Sequence, residues 1–173
     1  MHSNDRNQLA GVSVGGEQQQ YLTFRLGDET FALPILVTKE ILEYPELTNV
    51  PLMAPCVRGV LNLRGAVVPV VDLAVRFGRP ASELTRRSCV VILEIQSGDE
   101  WLDIGVVVDG VNQVIDIPSD QIEPPPNFGS RLRADFIRGM GKVDGHFVVV
   151  LDSDHVLSVD EISAIGQHAA QAA

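Results

Sequence analysis

The sequence is poor in the residues that usually announce chemistry. Its two cysteines, Cys56 and Cys89, have no CxxC spacing; they support neither a metal cluster nor a disulfide framework and point to a reducing compartment. The four histidines, His2, His146, His155 and His168, converge on no ligand spacing. Basic residues are scarce as well: 13 Lys and Arg face 23 Asp and Glu, a formal net charge of −10. That balance excludes nucleic-acid binding, which needs clustered cations to neutralise phosphates, and adhesion to anionic lipid. No stretch approaches the ~20 apolar residues of a membrane-spanning helix, and Met1–Gln20 lacks an apolar signal core. The expected location is the cytoplasm.

Catalytic patterns are missing too. Asp152-Ser153-Asp154-His155 brings acid, hydroxyl and imidazole together, but sequence neighbours seldom face one another in a triad, and Asp152 sits where a helix cap belongs. Gly139-Met140-Gly141-Lys142 lacks the phosphate-loop spacing, and Ser88-Cys89 lacks a nucleophile-elbow pattern. No catalytic residue, metal or cofactor is assigned, and the expectation is a protein that is not an enzyme.

What is present is a dense series of short aliphatic runs broken by Gly, Asp, Asn and Pro, the punctuation of an all-β domain. Hairpins are expected from Tyr21–Leu26 into Thr30–Leu33, from Val60–Leu63 into Ala66–Val71, from Val90–Ile95 into Trp101–Val108, and from Met140–Val143 into His146–Leu151. Asp109-Gly110 is read as a further turn leading into Val111–Ile117, because Asp-Gly supplies the positive φ of tight hairpins. Helix signals are few. Asp72 can cap a short helix over Leu73–Phe77 that stops at Gly78, and Ser158 with Glu161 forms a capping box for a C-terminal helix. Residues 1–19 are expected to be a flexible tail, 20–166 the folded domain, and 167–173 a frayed end.

The sequence also repeats itself. Cys56–Asp72 lies without a gap on Phe136–Asp152, matching Arg58 with Arg138, Gly59 with Gly139, Gly65 with Gly145, and Asp72 with Asp152. Gly27-Asp28-Glu29 is echoed by Gly98-Asp99-Glu100 at a different offset. Valine-rich hairpins can resemble one another by chance, but the match favours a duplication giving two small β-barrels with a shared hydrophobic junction.

Several segments, in order, resemble the CheW family of chemotaxis coupling proteins: Tyr21–Glu29, Ile35–Tyr44, Val57-Arg58-Gly59-Val60-Leu61-Asn62-Leu63-Arg64-Gly65 running on through Val67–Leu73, Gly105–Val111, and Ile122–Phe128. The resemblance covers residues 20 to about 165. It implies two intertwined five-stranded SH3-like β-barrels with short helices, including a C-terminal one. A similar fold serves as the regulatory domain of the CheA kinase and occurs in CheV proteins; this chain is too short to hold kinase modules or a receiver domain as well.

The resemblance further implies a non-enzymatic scaffold without cofactors. It would couple the cytoplasmic tips of methyl-accepting chemotaxis receptors to the CheA regulatory domain, recruited to receptor arrays without entering the membrane. A scaffold of this type serving another chemosensory output, such as type IV pilus motility or a second-messenger pathway, is the alternative. Arg64 corresponds to the family's arginine near the receptor site, and Glu40 to the acidic position that accompanies it, so an Arg64–Glu40 ion pair is expected. Thr38, Ile41, Val90, Val111 and Val114 fall at positions lining an apolar receptor groove between the barrels. Phe128 matches an aromatic on the kinase side. Gly59, Gly65, Gly105 and Gly139 read as residues that shape the backbone.

Overall fold

A computed structural model describes residues 18–125 and 133–162, within which the chain forms eleven strands. These are β1 (Gln18–Leu26), β2 (Glu29–Pro34), β3 (Thr38–Glu43), β4 (Val57–Leu63), β5 (Ala66–Asp72), β6 (Cys89–Ser97), β7 (Glu100–Val108), β8 (Gly110–Pro118), β9 (Ile122–Glu123), β10 (Ile137–Val143) and β11 (His146–Leu151). Two four-residue helices, α1 (Leu73–Arg76) and α2 (Ser153–Val156), follow β5 and β11. The expected N-terminal tail, apart from its last two residues, and the C-terminal end lie outside the described residues. No helix among the described residues is long and apolar enough to cross a membrane.

The strands form two sheets, ordered β8-β1-β2-β11-β10-β9 and β3-β6-β7-β5-β4. Each sheet takes one hairpin from each half of the chain. In the first sheet β2 lies parallel to β11, and in the second β5 lies parallel to β7. The halves have thus exchanged their leading hairpins, and the two SH3-like barrels are intertwined. Closure of the second barrel shows in its outer strands: Leu42 of β3 packs on the cluster that holds Leu61 of β4. In the first barrel, Ile117 of β8 reaches Gly141 of β10.

The repeat read from the sequence is a repeat of geometry. Both β4–β5 and β10–β11 carry a register shift at the arginine before the glycine, between Val57 and Gly59 and between Ile137 and Gly139. Their turns match as well, with φ of 52° and 87° at Arg64-Gly65 and 50° and 79° at Asp144-Gly145. Asp72 N donates to Cys56 O at 2.7 Å, and Asp152 N donates to Phe136 O at 2.8 Å. The pairings then fix the remaining equivalences. Gly105 lies opposite both Val70 and Ile92, while Ala32 lies opposite both Val150 and Thr23. Ile92 therefore corresponds to Thr23 and Val91 to Leu22, and the β6–β7 hairpin runs two residue pairs longer than β1–β2.

Three apolar clusters fill the molecule. One lies inside each barrel: Tyr21, Ala32, Ile117, Val148 and Val150 in the first, and Leu61, Val68, Val70, Val90, Ile92 and Val107 in the second. The largest is the junction, to which alternate residues of β1, β2, β6 and β7 all point. A ladder of rings crosses it, Phe24 to Phe31 at 6.0 Å, Phe31 to Phe77 at 5.6 Å and Phe77 to Phe136 at 5.9 Å. The buried Arg76 of α1 ties the halves together. Its Nε donates to Val156 O at 2.7 Å, its Nη1 meets Glu161 at 3.0 Å, and its guanidinium lies over Phe136 at 4.7 Å. Glu161 also pairs with Arg133, whose cation is the main cause holding its carboxyl below the usual glutamate range.

Four expectations need correction. β1 begins at Gln18, not Tyr21, because the long β8 offers Gln18, Gln19 and Gln20 ladder partners in Pro118, Ile117 and Asp116, and backbone pairing needs no apolar side chain. The first sheet has six strands, the sixth being the two-residue β9; its counterpart in the second barrel is a single bridge from Thr48 to Val60. Asp109-Gly110 is not a hairpin turn. It carries the chain from one sheet to the other, and Asp109 Oδ2 accepts the Gly27 N–H at 2.6 Å. The capping box is half formed: Ser158 Oγ accepts the Glu161 N–H at 3.4 Å, while the Glu161 carboxylate is drawn to Arg76 and Arg133.

Candidate functional site: the face between β3 and β8

β3 and β8 each close one side of their sheet, one in each barrel. Ile41 pairs with Val91 and Val114 with Leu22, so the two are equivalents under the repeat. Both are large apolar side chains left open, at 44% and 48% exposure. A buried apolar side chain of this size is worth about 1.5 to 3 kcal/mol, so paired exposure at equivalent positions is unspent contact area. Thr38 is half-buried at the start of β3, its hydroxyl donating to Pro34 O at 3.3 Å. Val111 is half-buried at the start of β8 and packs on the junction cluster.

Arg64 reaches β3 from the β4–β5 turn, on the side of the strand that alternates with Ile41. Its Nη2 lies 3.0 Å from Glu40 Oε1, so the expected ion pair forms, linking the turn to β3. The pair is specific to one barrel, since register places Gln113 where Glu40 stands and Asp144 where Arg64 stands. Arg64 sits at a positive φ of 52°, a conformation in which side chains other than Gly, Asn and Asp are strained. Asn62 Oδ1 accepts the Gly65 N–H at 3.0 Å and completes the turn. The Arg64 side chain is 74% exposed, so its cation remains open to a partner.

Val90 requires correction. It is fully buried inside the second barrel with Val70 and Ile92 and cannot touch a partner docked on this face. In the aliphatic run Val90–Leu93 every residue is apolar, so alternation does not tell the two faces apart. Phe128 lies outside the described residues. The four glycines have distinct geometries. A Cβ on Gly59 would lie 2.6 Å from Thr48 O, and one on Gly139 would overlap Ile122 and lie 2.8 Å from Glu123 O. A Cβ on Gly105 would lie 2.8 Å from Val90 Cγ1, whereas Gly65 has open space and a φ of +87°.

Two features were not read from the sequence. Trp101, in the extension of the β6–β7 hairpin, is 62% exposed, beside Val67 at 72% exposure along one cleft. Arg25, Arg86 and Arg87 line a second cleft, of about 400 Å³, with Glu43, Val111 and Asn112. The adjacent Arg86-Arg87 in so acidic a chain is the signal that could have drawn attention to it.

Among the described residues no group of three His, Cys, Asp or Glu could hold a metal, and every buried side-chain N or O has a partner. Burial pushes both thiols, Cys56 and Cys89, above the usual range, which disfavours the nucleophilic thiolate. The Lys39 ammonium is held between Asp103 at 3.1 Å and Glu94 at 3.3 Å; their hydrogen bonds raise its pKa and keep it a charged, non-nucleophilic amine.

Comparison with known proteins decides the family. A family model described as CheW-like domain matches residues 20–161. The chain belongs to the CheW family. A chemotaxis protein CheW of Klebsiella aerogenes is 32% identical over 159 residues, 92% of each chain. The crystal structure of the scaffolding protein TtCheW from Thermoanaerobacter tengcongensis aligns with a TM-score of 0.70 at 30% identity, covering 78% of this chain and 84% of that one. Protein PilI of Pseudomonas aeruginosa is 32% identical over 128 residues, 69% of this chain and 68% of the relative. The CheW names describe a chemotaxis protein and a scaffolding protein, not an enzyme.

Proposed function

We propose that this CheW-family chain couples the cytoplasmic tips of chemoreceptors to the histidine kinase CheA. A helix of the receptor tip lays its apolar side along the face between β3 and β8, the mode by which amphipathic helices fill grooves. Thr38, Ile41, Val111 and Val114 supply the contact area, while Arg64, oriented by Glu40, fixes register. Phe128, on the strength of the family resemblance, meets the kinase regulatory domain. The scaffold works in the cytoplasm, held at the receptor arrays. Its output is a change in relative orientation, a coupling free energy of about 1 to 3 kcal/mol.

The observation that carries this reading is Arg64. A long cationic side chain stands at a strained turn position where Asn, Asp or Gly would cost less, is tied to Glu40 at 3.0 Å, and is still largely open to solvent. The second reading, a scaffold for another chemosensory output, is favoured only by the shorter match to PilI.

The test is binding of a purified receptor cytoplasmic fragment, followed by calorimetry. Arg64→Glu places two carboxylates together and is expected to weaken binding at least tenfold, a loss of about 1.4 kcal/mol or more, with an unchanged melting temperature. Binding of Arg64→Glu at wild-type affinity would remove Arg64 from the interface.

A further inference from the structure

The five paired arginines of the described chain, Arg58, Arg64, Arg76, Arg79 and Arg133, each hold a carboxylate of the protein itself. Arg25, Arg86 and Arg87, like Arg138, hold none among the described residues, although acids outnumber bases by 23 to 13. These three come from distant parts of the sequence, β1 and the loop before β6, yet line one cleft. That cleft bridges the barrels. Arg25 and Asn112 belong to the first sheet, Glu43 to the second, and Val111 packs on the junction core.

The cleft also continues the face between β3 and β8. Glu43 stands two residues beyond Ile41 on β3, and Asn112 two residues before Val114 on β8. A helix lying along Ile41 and Val114 therefore runs toward three guanidinium groups that form no ion pair among the described residues, with the single carboxylate of Glu43 lining the same cleft. Elsewhere the strongly acidic surface would repel an acidic segment, so a carboxylate-bearing partner gains its attraction, and its direction along the face, at this end.

We infer that the partner helix docked between β3 and β8 presents acidic side chains to Arg25, Arg86 and Arg87, and that these contacts set its orientation. The inference rests on the proposed receptor site and adds the chemistry of the helix at one end of it. Contacts of this kind act across exposed surface, so they weaken as salt shortens the Debye length.

The experiment measures binding of the receptor cytoplasmic fragment to wild type, Arg86→Ala/Arg87→Ala and Arg86→Lys/Arg87→Lys at low and high salt. Melting temperatures serve as the control for folding. The alanine pair is expected to weaken binding about five- to tenfold at 50 mM salt, with the deficit closing at 500 mM, and the lysine pair to restore most of it. Wild-type affinity and salt slope in the alanine pair, with Arg64→Glu still defective, would overturn the inference and leave the proposed site standing. Failure of folded wild type to bind the fragment at all would remove both. Loss of binding to phosphatidylserine vesicles in the alanine pair, with receptor binding intact, would assign the cleft to lipid and overturn the inference.

Discussion

Asp72→Ala is expected to destabilise the protein by about 3 to 5 kcal/mol, the range for breaking a buried, hydrogen-bonded charge pair from one side. The Asp72 carboxylate is fully buried at the end of β5 and accepts four hydrogen bonds. Ala74 N donates at 3.0 Å to cap α1, Arg58 Nη1 at 2.8 Å, and Ser82 N and Oγ at 3.0 and 2.9 Å. Removing it strands the partly buried Arg58 cation, frees the cap, and releases the loop after α1. Its repeat partner provides the contrast. Asp152 caps α2 through the His155 N–H at 3.3 Å, is partly exposed and, among the described residues, pairs with His155 alone. Asp152→Ala should cost about 1 kcal/mol, the ordinary loss of a cap. Thermal and urea unfolding of the two variants checks the difference. Equal losses would mean that the network around Asp72 adds nothing to the cap.

Gly139→Ala is expected to cost about 2 to 3 kcal/mol, the upper part of the usual range for overpacking a filled site, and to lower the melting temperature by roughly 5 to 10 °C for a chain of this size. The new methyl would overlap Ile122 and press on Glu123 O, so β9 has to leave β10. Gly59→Ala meets the same obstacle in the other barrel, where Thr48 O lies 2.6 Å away. Gly65→Ala has open space and loses only the freedom of a positive φ, about 1 to 2 kcal/mol. Scanning calorimetry should therefore rank Gly139 and Gly59 above Gly65. The reverse order would show that the bulged strands yield readily and that turn strain dominates.

The parts of this molecule legible in its sequence are those fixed by backbone chemistry. The ungapped match of Cys56–Asp72 to Phe136–Asp152 survives because a bulge at Arg58 and Arg138, a close approach at Gly59 and Gly139 and a left-handed turn at Gly65 and Gly145 each restrict the residue locally. The Arg64–Glu40 pair was legible through family resemblance, since no local rule joins residues 24 positions apart. The exchange of leading hairpins was not legible in local pattern. A hairpin's alternation says which of its faces is apolar, but not which barrel receives it, and Asp109-Gly110 has the composition of a tight turn while serving as the crossover. The burial of Val90 inside the second barrel is not legible in sequence because Val90–Leu93 is apolar on both faces. The Arg25, Arg86 and Arg87 cleft depends on the same exchange, which sets β1 and β8 beside the loop before β6.

The measurement that tests the central claim most directly is co-sedimentation of CheA with clustered receptor cytoplasmic fragments, in the presence and absence of this chain. Bridging predicts that this chain raises the fraction of kinase pelleted with receptor, and that Arg64→Glu abolishes the gain while still binding the kinase regulatory domain. Pelleting of CheA unchanged by folded wild-type protein would contradict the coupling role and turn the search toward a different output for the same scaffold.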